Sequence, residues 1–542
     1  MNKWQWIRRI GWGWVLLGLI GFVWTSRTLC AEQPAPAAPS CWKVGLAQVK
    51  ITPERPMWLA GYAARTKPAE GTLDDLWVKV LALESADGRR AVLVTSDLVG
   101  FPRDLADRIA TAVKEQFHLD RAALMLTCSH THSGPVLKHA LWDIYPLDEQ
   151  QKQLITEYTA ALEKKIIQCI GQALGAMEPA QLEGGEGQCH FAVNRRNNKE
   201  AEVEKLRAAG QPLKGPTDPT VFVLAVRKPA SLTPQGAPSG GLAAAKPSGN
   251  GAFEKRSGNG TAGEFASKGA TGKPSGNGAS EKRPGAADNT GQTGPGTLRA
   301  VVFGYACHTT TLADYFWSGD YAGFAQIALQ EKYPGVQAMF YIGCGADQNP
   351  IPRRKVELAK QYGRQLADAV AEVLSQPMRP IEAQLATAWV EIPLAWEPPT
   401  EEYLKKIAGQ ENYQGRWARR LLAERAEGKP WAAAYPAYPV QVWRLGQKQL
   451  WIALGGEVVV DYQIRLREIY GPTTWVAGYA NDVMAYIPSH RVWQEGGYEA
   501  GAFSVYGYPA LRWAESIETD ILHAVDRAVQ AVGLKAQTAV HK

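Results

Sequence analysis

The sequence predicts an α/β protein with mixed β-sheets flanked by helices, and three observations carry that expectation. Apolar, β-branched runs at 77–83, 91–95 and 123–128 alternate with amphipathic stretches at 103–117, 150–177 and 355–376. Neighbouring runs at 440–445 and 449–454 read as a hairpin, so antiparallel pairs accompany the βα alternation. Composition agrees: 542 residues with 45% hydrophobic and 21% charged content exclude wholesale disorder, collagen and coiled coil.

The chain opens on a basic cluster of Lys3, Arg8 and Arg9. An apolar core at 10–24 follows, interrupted by Gly11, Gly13, Gly18 and Gly21. That core is shorter than the ~20 residues of a spanning helix, and small residues near Cys30 and Ala31 offer a cleavage point. Residues 1–31 are therefore expected to be a signal peptide of an exported protein, with an N-terminal membrane anchor as the alternative. No other segment is apolar for long enough to span a bilayer, so the mature chain is expected to lack an integral span. Lys3, Arg8, Arg9 and Arg27 carry most of the net charge of +6, which leaves the remainder nearly balanced and argues against a nucleic-acid partner.

Residues 228–296 stand apart. They are rich in Gly, Pro, Ser, Ala and Lys, and the run at 246–256 recurs at 273–283 with Ser280 in place of Phe253. Such a stretch buries too little apolar surface to offset its ordering entropy, so it is expected to be disordered. Strand-like runs at 220–227 and 297–305 flank it. A hairpin with an expanded turn explains this, because loop closure costs rise only logarithmically with length. The expected organisation is thus one domain over 40–542, interrupted by that insertion and closed by a helix at about 509–532.

Seven cysteines are too few for a disulfide scaffold, and none lie in a Cys-x-x-Cys pair. Cys41, Cys128, Cys169, Cys189, Cys307 and Cys344 read mostly as small buried hydrophobes.

Three apolar strands run out at ionisable groups. Residues 123–128 lead into His130 and His132, whose two-residue spacing on an extended chain projects both from one face. Residues 301–305 lead to His308. Residues 450–454 lead through Gly455 and Gly456 to Glu457. Ligand-binding groups collect where strands open into loops, but a hydrogen-bonded structural histidine pair fits equally. Glu457 in apolar surroundings needs a positive partner, either a cation or Arg465 or Arg467.

Taken in order, the motifs resemble those of the neutral/alkaline (non-lysosomal) ceramidase family, in its N-terminal catalytic domain. The resemblance rests on the strand at 44–53 with Leu59-Ala60-Gly61-Tyr62, on Val94-Thr95-Ser96-Asp97, and on the block from Ser129 to Pro135. It continues through Val193-Asn194-Arg195-Arg196, Ala306-Cys307-His308, the run from Ser318 to Gly323, Gly456-Glu457, and the pair 478–481 and 486–489. It spans roughly 44–507. It implies a mixed α/β catalytic domain and a zinc ion held by His130, His308, Glu457 and Tyr486, a donor set suited to zinc with one position left for water. His132 and Arg195 would line the substrate side, and Tyr498 matches a second tyrosine near the reacting carbonyl.

One departure is chemical. The family carries a serine in a Gly-Asp-x-Ser-Pro turn, whereas aligning Asp347 and Pro350 places Asn349 there. An amide cannot replace that hydroxyl, so three outcomes are open: attack by metal-activated water, an oxyanion contact from the Asn349 amide, or loss of catalysis. Asp347 would tether a neighbouring backbone group or histidine. The family's C-terminal immunoglobulin-like domain is expected to be missing. The expectation is therefore a zinc-dependent amidohydrolase acting on a small-molecule or lipid-like amide. The alternatives are a non-catalytic binding protein of the envelope and a hydrolase of the same fold acting on esters.

Overall fold

A strand hairpin that spans a long excursion of the chain organises much of the core. In the computed structural model, which describes residues 41–229 and 296–538, Thr220–Arg227 pairs antiparallel with Leu298–Tyr305, from Val221 opposite Tyr305 to Arg227 opposite Leu298. This is the hairpin expected around the insertion. Every residue of Thr220–Arg227 is buried, which is why it reads as a continuous apolar run without alternation. The predicted signal peptide at 1–31, and all but the edges of the 228–296 insertion, lie outside the described residues.

The larger sheet has nine strands among the described residues. Its order is Gln337–Ile342, Leu298–Tyr305, Thr220–Arg227, Glu178–Gln188, Trp42–Lys50, Trp77–Glu84, Arg90–Ser96 and Leu124–Leu126, with Arg379–Ile381 also on Glu178–Gln188. Pairing is parallel at both ends and antiparallel between, so the sheet is mixed as predicted. Glu178–Gln188 is shared: residues 178–180 pair with Trp42–Lys50, and residues 181–188 with Thr220–Arg227. The sheet folds over on itself about this strand. Lys79 Nζ donates to the Ala338 carbonyl at 2.8 Å, and Gln337 Nε2 to the Val80 carbonyl at 3.2 Å, between strands far apart in the order.

A second, five-stranded sheet runs Trp475–Ala477, Gln449–Leu454, Ala434–Leu445, Leu385–Glu397, Arg512–Trp513. It contains the predicted hairpin, with Val440 opposite Leu454 and Leu445 opposite Gln449.

Helices cover these sheets. Arg103–Phe117 starts after the extended Pro102 and ends at His118, which turns left-handed; Leu105, Ile109 and Val113 bury one face. Glu149–Gly175 starts on Asp148, whose carboxylate accepts from the Gln151 N–H at 2.7 Å. This helix lies so close to the strand Trp42–Lys50 that a Cβ on Gly45 would sit 1.8 Å from the Ala173 carbonyl oxygen. Val356–Ser375 falls within a residue of expectation at each end.

Two elements differ from expectation. The run at 123–128 is a strand only over Leu124–Leu126, because Arg121–Ala123 forms a 3₁₀ turn and beyond Leu126 only the alternate N–H groups of Thr127 and Ser129 still reach the neighbouring strand. The C-terminal helix is Ile517–Ala531, not 509–532. Upstream, Leu511 and Ala514 give their N–H groups to the carbonyls of Glu397 and Ala395, so the edge of the second sheet takes donors a helix would need.

Candidate metal centre and cavity

His130 reaches the site from a strand end that keeps its sheet partners for a few residues. Thr127 and Ser129 donate to the Val94 and Ser96 carbonyls, each at 2.8 Å. The backbone then enters the left-handed region at His130 (φ 54°). The two histidines therefore converge through a turn, and not through extended spacing as the sequence suggested. Their Nε2 atoms lie 3.2 Å apart. Beneath His132, Gly61 (φ 98°) supplies necessary space, since a Cβ there would lie 2.3 Å from the imidazole Cγ.

His308 follows the strand Leu298–Tyr305, and its N–H donates to the Gln348 carbonyl at 2.9 Å. The end of a parallel neighbour meets it: Gly343 donates to the Tyr305 carbonyl at 2.9 Å, and Ile342 to the Cys128 carbonyl at 3.1 Å. Glu457 arrives from the second sheet. Its two-residue strand pairs parallel with Tyr486–Ile487, which makes Glu457 and Tyr486 register partners.

The hydrogen bonds fix the tautomers. His130 Nδ1 faces the Val99 carbonyl, and His308 Nδ1 faces the Gly345 carbonyl at 3.0 Å. A carbonyl only accepts, so each neutral ring carries its proton on Nδ1 and presents a lone pair at Nε2. Both lone pairs are aimed at a carboxylate: Glu457 Oε2 is 3.2 Å from His308 Nε2 and 3.5 Å from His130 Nε2. A proton on His308 Nε2 would require an imidazolium. Burial opposes this and pushes the ring down to about 4. His132 is held well below the ordinary histidine range, first by burial and then by His130 and His308. Burial raises the Glu457 carboxyl, and positive charge at this spot, as a protonated His130 or His308 would carry, lowers it.

His130 is 1% exposed, His308 0% and Glu457 4%, and neither His308 Nε2 nor Glu457 Oε2 has a hydrogen-bond partner. Donor atoms of His130, His132 and His308 all lie within 4.8 Å of one another. Converging imidazole nitrogens and a carboxylate, with His308 Nε2 and Glu457 Oε2 unpartnered, can hold a divalent metal ion. Further groups steady the donors: the Tyr506 hydroxyl donates to Glu457 Oε1, and the Tyr479 hydroxyl lies 3.3 Å from His308 Nδ1.

This cluster floors a cavity of about 630 Å³ that also takes in Tyr486, Arg195, Asn349 and Tyr498. Arg195 Nε donates to Glu499 at 2.8 Å, Nη2 to the Tyr486 hydroxyl at 3.3 Å and Nη1 to Asn349 Oδ1 at 3.5 Å. Asn349 sits opposite Val193 in a short antiparallel pair, and its Oδ1 also accepts from Thr310 at 3.4 Å. Tyr498 is 51% exposed at the mouth. Asp347 lies beneath and does not line the cavity. Its carboxylate accepts from the Asn194 side chain and the Val460 N–H, each at 2.9 Å, and its carbonyl accepts from the Arg195 N–H at 2.8 Å. Burial raises that carboxyl to about 6.

The sequence left two partners open for Glu457. Arg465 pairs with Glu518 at 3.0 Å and Arg467 with Asp218 at 2.8 Å, so neither arginine answers it. Glu499 binds both Arg195 and Arg196. Sequence reasoning did not single out Tyr506, Tyr479, Thr310 or Glu499, nor the Val99 and Gly345 carbonyls. Tyr479 lies inside a quoted motif, but its left-handed backbone leaves no mark in the sequence. Among the described residues all six cysteines are free thiols, five of them buried, and no helix is long and apolar enough to cross a membrane.

Mixed sheets with buried histidines at strand ends, beside a cavity open to solvent, define the class as an α/β protein with a candidate metal site. No family model matches the chain. Neutral ceramidase of Pseudomonas aeruginosa is 26% identical over 175 residues, a match covering 31% of this chain and only 25% of the relative. The crystal structure of neutral ceramidase from Pseudomonas aeruginosa superposes with a TM-score of 0.61 at 17% identity, covering 93% of this chain and 76% of that one. A ceramidase complexed with C2 gives a TM-score of 0.62 at 16% identity, covering 92% and 77%. The chain has the fold of neutral ceramidase.

Proposed function

We propose that the protein is an exported, zinc-dependent hydrolase that cleaves an amide (N-acyl) bond with metal-activated water. The observation that carries the reading is the unpartnered pair of His308 Nε2 and Glu457 Oε2, buried together with the His130 lone pair. Such an arrangement is costly unless a cation compensates it. His130, His308, Glu457 and Tyr486 would hold the ion. When bound, zinc supplies a Lewis acid that polarises a carbonyl and lowers the pKa of water to about 7.

The remaining work falls to this chain's own side chains. His132, kept neutral by burial, takes a proton at its ring nitrogen and returns it to the leaving amine. Arg195 has Nη protons engaged only by long contacts, and with the Tyr498 hydroxyl it stabilises the developing oxyanion. Asn349, in the position of the family serine, has its oxygen held by Arg195 and Thr310, which turns the amide N–H₂ toward substrate. With no hydroxyl there, water is the nucleophile. Asp347 positions Arg195 and the Asn194 side chain through its hydrogen bonds. Export rests on the N-terminal segment. The substrate class, a small-molecule or lipid-like amide, rests on the likeness to a ceramidase.

The test is metal analysis and turnover on one preparation. Stoichiometric zinc, hydrolysis of N-acyl amides that a chelator abolishes, and loss of both in His130→Ala are expected. Undiminished activity in metal-free protein overturns the reading. Asn349 also favours a second reading, a binding protein without turnover, which predicts ligand binding but no hydrolysis across amides, esters and sulfate esters.

A further inference from the structure

We propose that the cavity takes a short, water-soluble amide bearing hydrogen-bonding groups, and not an amide with a long hydrocarbon chain. This inference rests on the hydrolase reading and narrows its substrate. The evidence is the chemistry of the walls above the histidine cluster. Arg196 joins Glu495 at 3.0 Å and Glu499 by a shorter contact, and Arg353 joins Glu200 at 2.9 Å. Arg196 and Glu499 are wall groups and not mobile surface charges, since their side chains are 9% and 4% exposed, whereas Glu495 and Glu200 are partly exposed. Asn198 is fixed between the carbonyls of Asn194 and Lys214 at 2.8 and 2.7 Å.

Aliphatic lining is confined to scattered single residues such as Val99, Ile351 and Val505, and the aromatic lining is tyrosine throughout. A hydrocarbon chain laid against Arg–Glu pairs displaces water from charges and gains little apolar burial. In a dry slot each buried methylene would instead strengthen binding by about fourfold. An apolar recess of about 210 Å³ meets the cavity across Val99, Leu141 and Tyr506, and its own lining includes Arg103, Asp104 and Asp482; a groove of about 560 Å³ that also reaches Tyr506 carries Asp143, Lys152, Arg416 and Arg420 beside its aromatics. The recess fits a short acyl group.

The experiment uses the full-length, zinc-loaded protein and one polar amine acylated with acetyl, butanoyl, octanoyl and hexadecanoyl groups. The same acyl groups are also placed on dodecylamine. Expected are a kcat/KM that stops rising by the octanoyl amide and a tenfold or greater preference for the polar amine. A kcat/KM that climbs severalfold from octanoyl to hexadecanoyl, or a preference for dodecylamine, overturns the proposal while leaving the hydrolase reading intact.

Calorimetric titration of the same amides reads binding without turnover. The same ordering in binding with no hydrolysis sustains this proposal and sinks the hydrolase reading. Absence of binding and hydrolysis alike overturns both. The double variant Glu200→Leu/Arg353→Leu, which makes part of the wall apolar, is expected to raise the hexadecanoyl-to-acetyl binding ratio about tenfold; an unchanged ratio counts against a wall that excludes hydrocarbon by its charge and overturns the proposal.

Discussion

Two buried polar regions of this molecule are built on opposite principles. Inside the folded sheet, Lys79 is buried, yet each of its ammonium protons is accepted: by Gln326 Oε1 at 2.9 Å, Gln330 Oε1 at 3.0 Å and the Ala338 carbonyl at 2.8 Å. The buried Asp97 supplies a countercharge nearby, and burial still pulls the lysine down to about 8. At the histidine cluster the donors are spent on outward carbonyls, and the acceptors are left facing one another. A saturated buried group ties two strands together. An unsaturated one costs stability and is kept for a ligand.

The largest expected effect separates the two regions by opposite readouts. His308→Ala should lower metal affinity and activity by more than the 10- to 100-fold typical of losing an outer-shell partner, with little loss of stability in metal-free protein. Lys79→Met should do the reverse. It orphans three acceptors and Asp97, so it should cost about 3–5 kcal/mol in urea unfolding while the surviving folded fraction binds metal normally. A large stability loss in metal-free His308→Ala would erase the distinction.

A smaller effect sharpens it. Tyr506→Phe removes the hydroxyl on Glu457 Oε1 and should weaken metal binding about 10- to 100-fold, visible by competition with a chelating dye, with nearly unchanged unfolding. The smallest effect is a pH dependence in the recess beside the cavity. Burial raises the Asp482 carboxyl from 3.8 to about 7, although Tyr435 donates to it. The folded state thus holds a proton that the unfolded chain releases, and stability from this group falls as pH rises from about 4 to about 7. Asp482→Asn should flatten that part of the urea-midpoint profile, and an unaltered slope would assign it elsewhere.

How much of this was legible in the sequence depends on where the governing interactions lie. Helix Arg103–Phe117 and strand Thr220–Arg227 have the predicted bounds, because local periodicity and the breaker Pro102 decide them. The start of the last helix was misplaced because the carbonyls of Glu397 and Ala395, more than a hundred residues upstream, claim its donors. At the site, His130, His132, His308 and Glu457 announce themselves as ionisable groups ending apolar strands. The Val99 and Gly345 carbonyls that set the tautomers have no residue signature, since any side chain could stand above them. Tyr506 was equally silent, because nothing in its neighbours links it to Glu457.

The strand Leu298–Tyr305 also acts as a spacer. His308 lies just beyond its last residue, whereas the segment following Arg227 rejoins the fold at its first. Eight strand residues at ~3.3 Å each set that joint roughly 25 Å from the imidazole. Extra chain can therefore be spliced into this protein, or trimmed from it, at a seam that transmits no distortion to the chemistry, provided Arg227 and Leu298 stay stitched side by side.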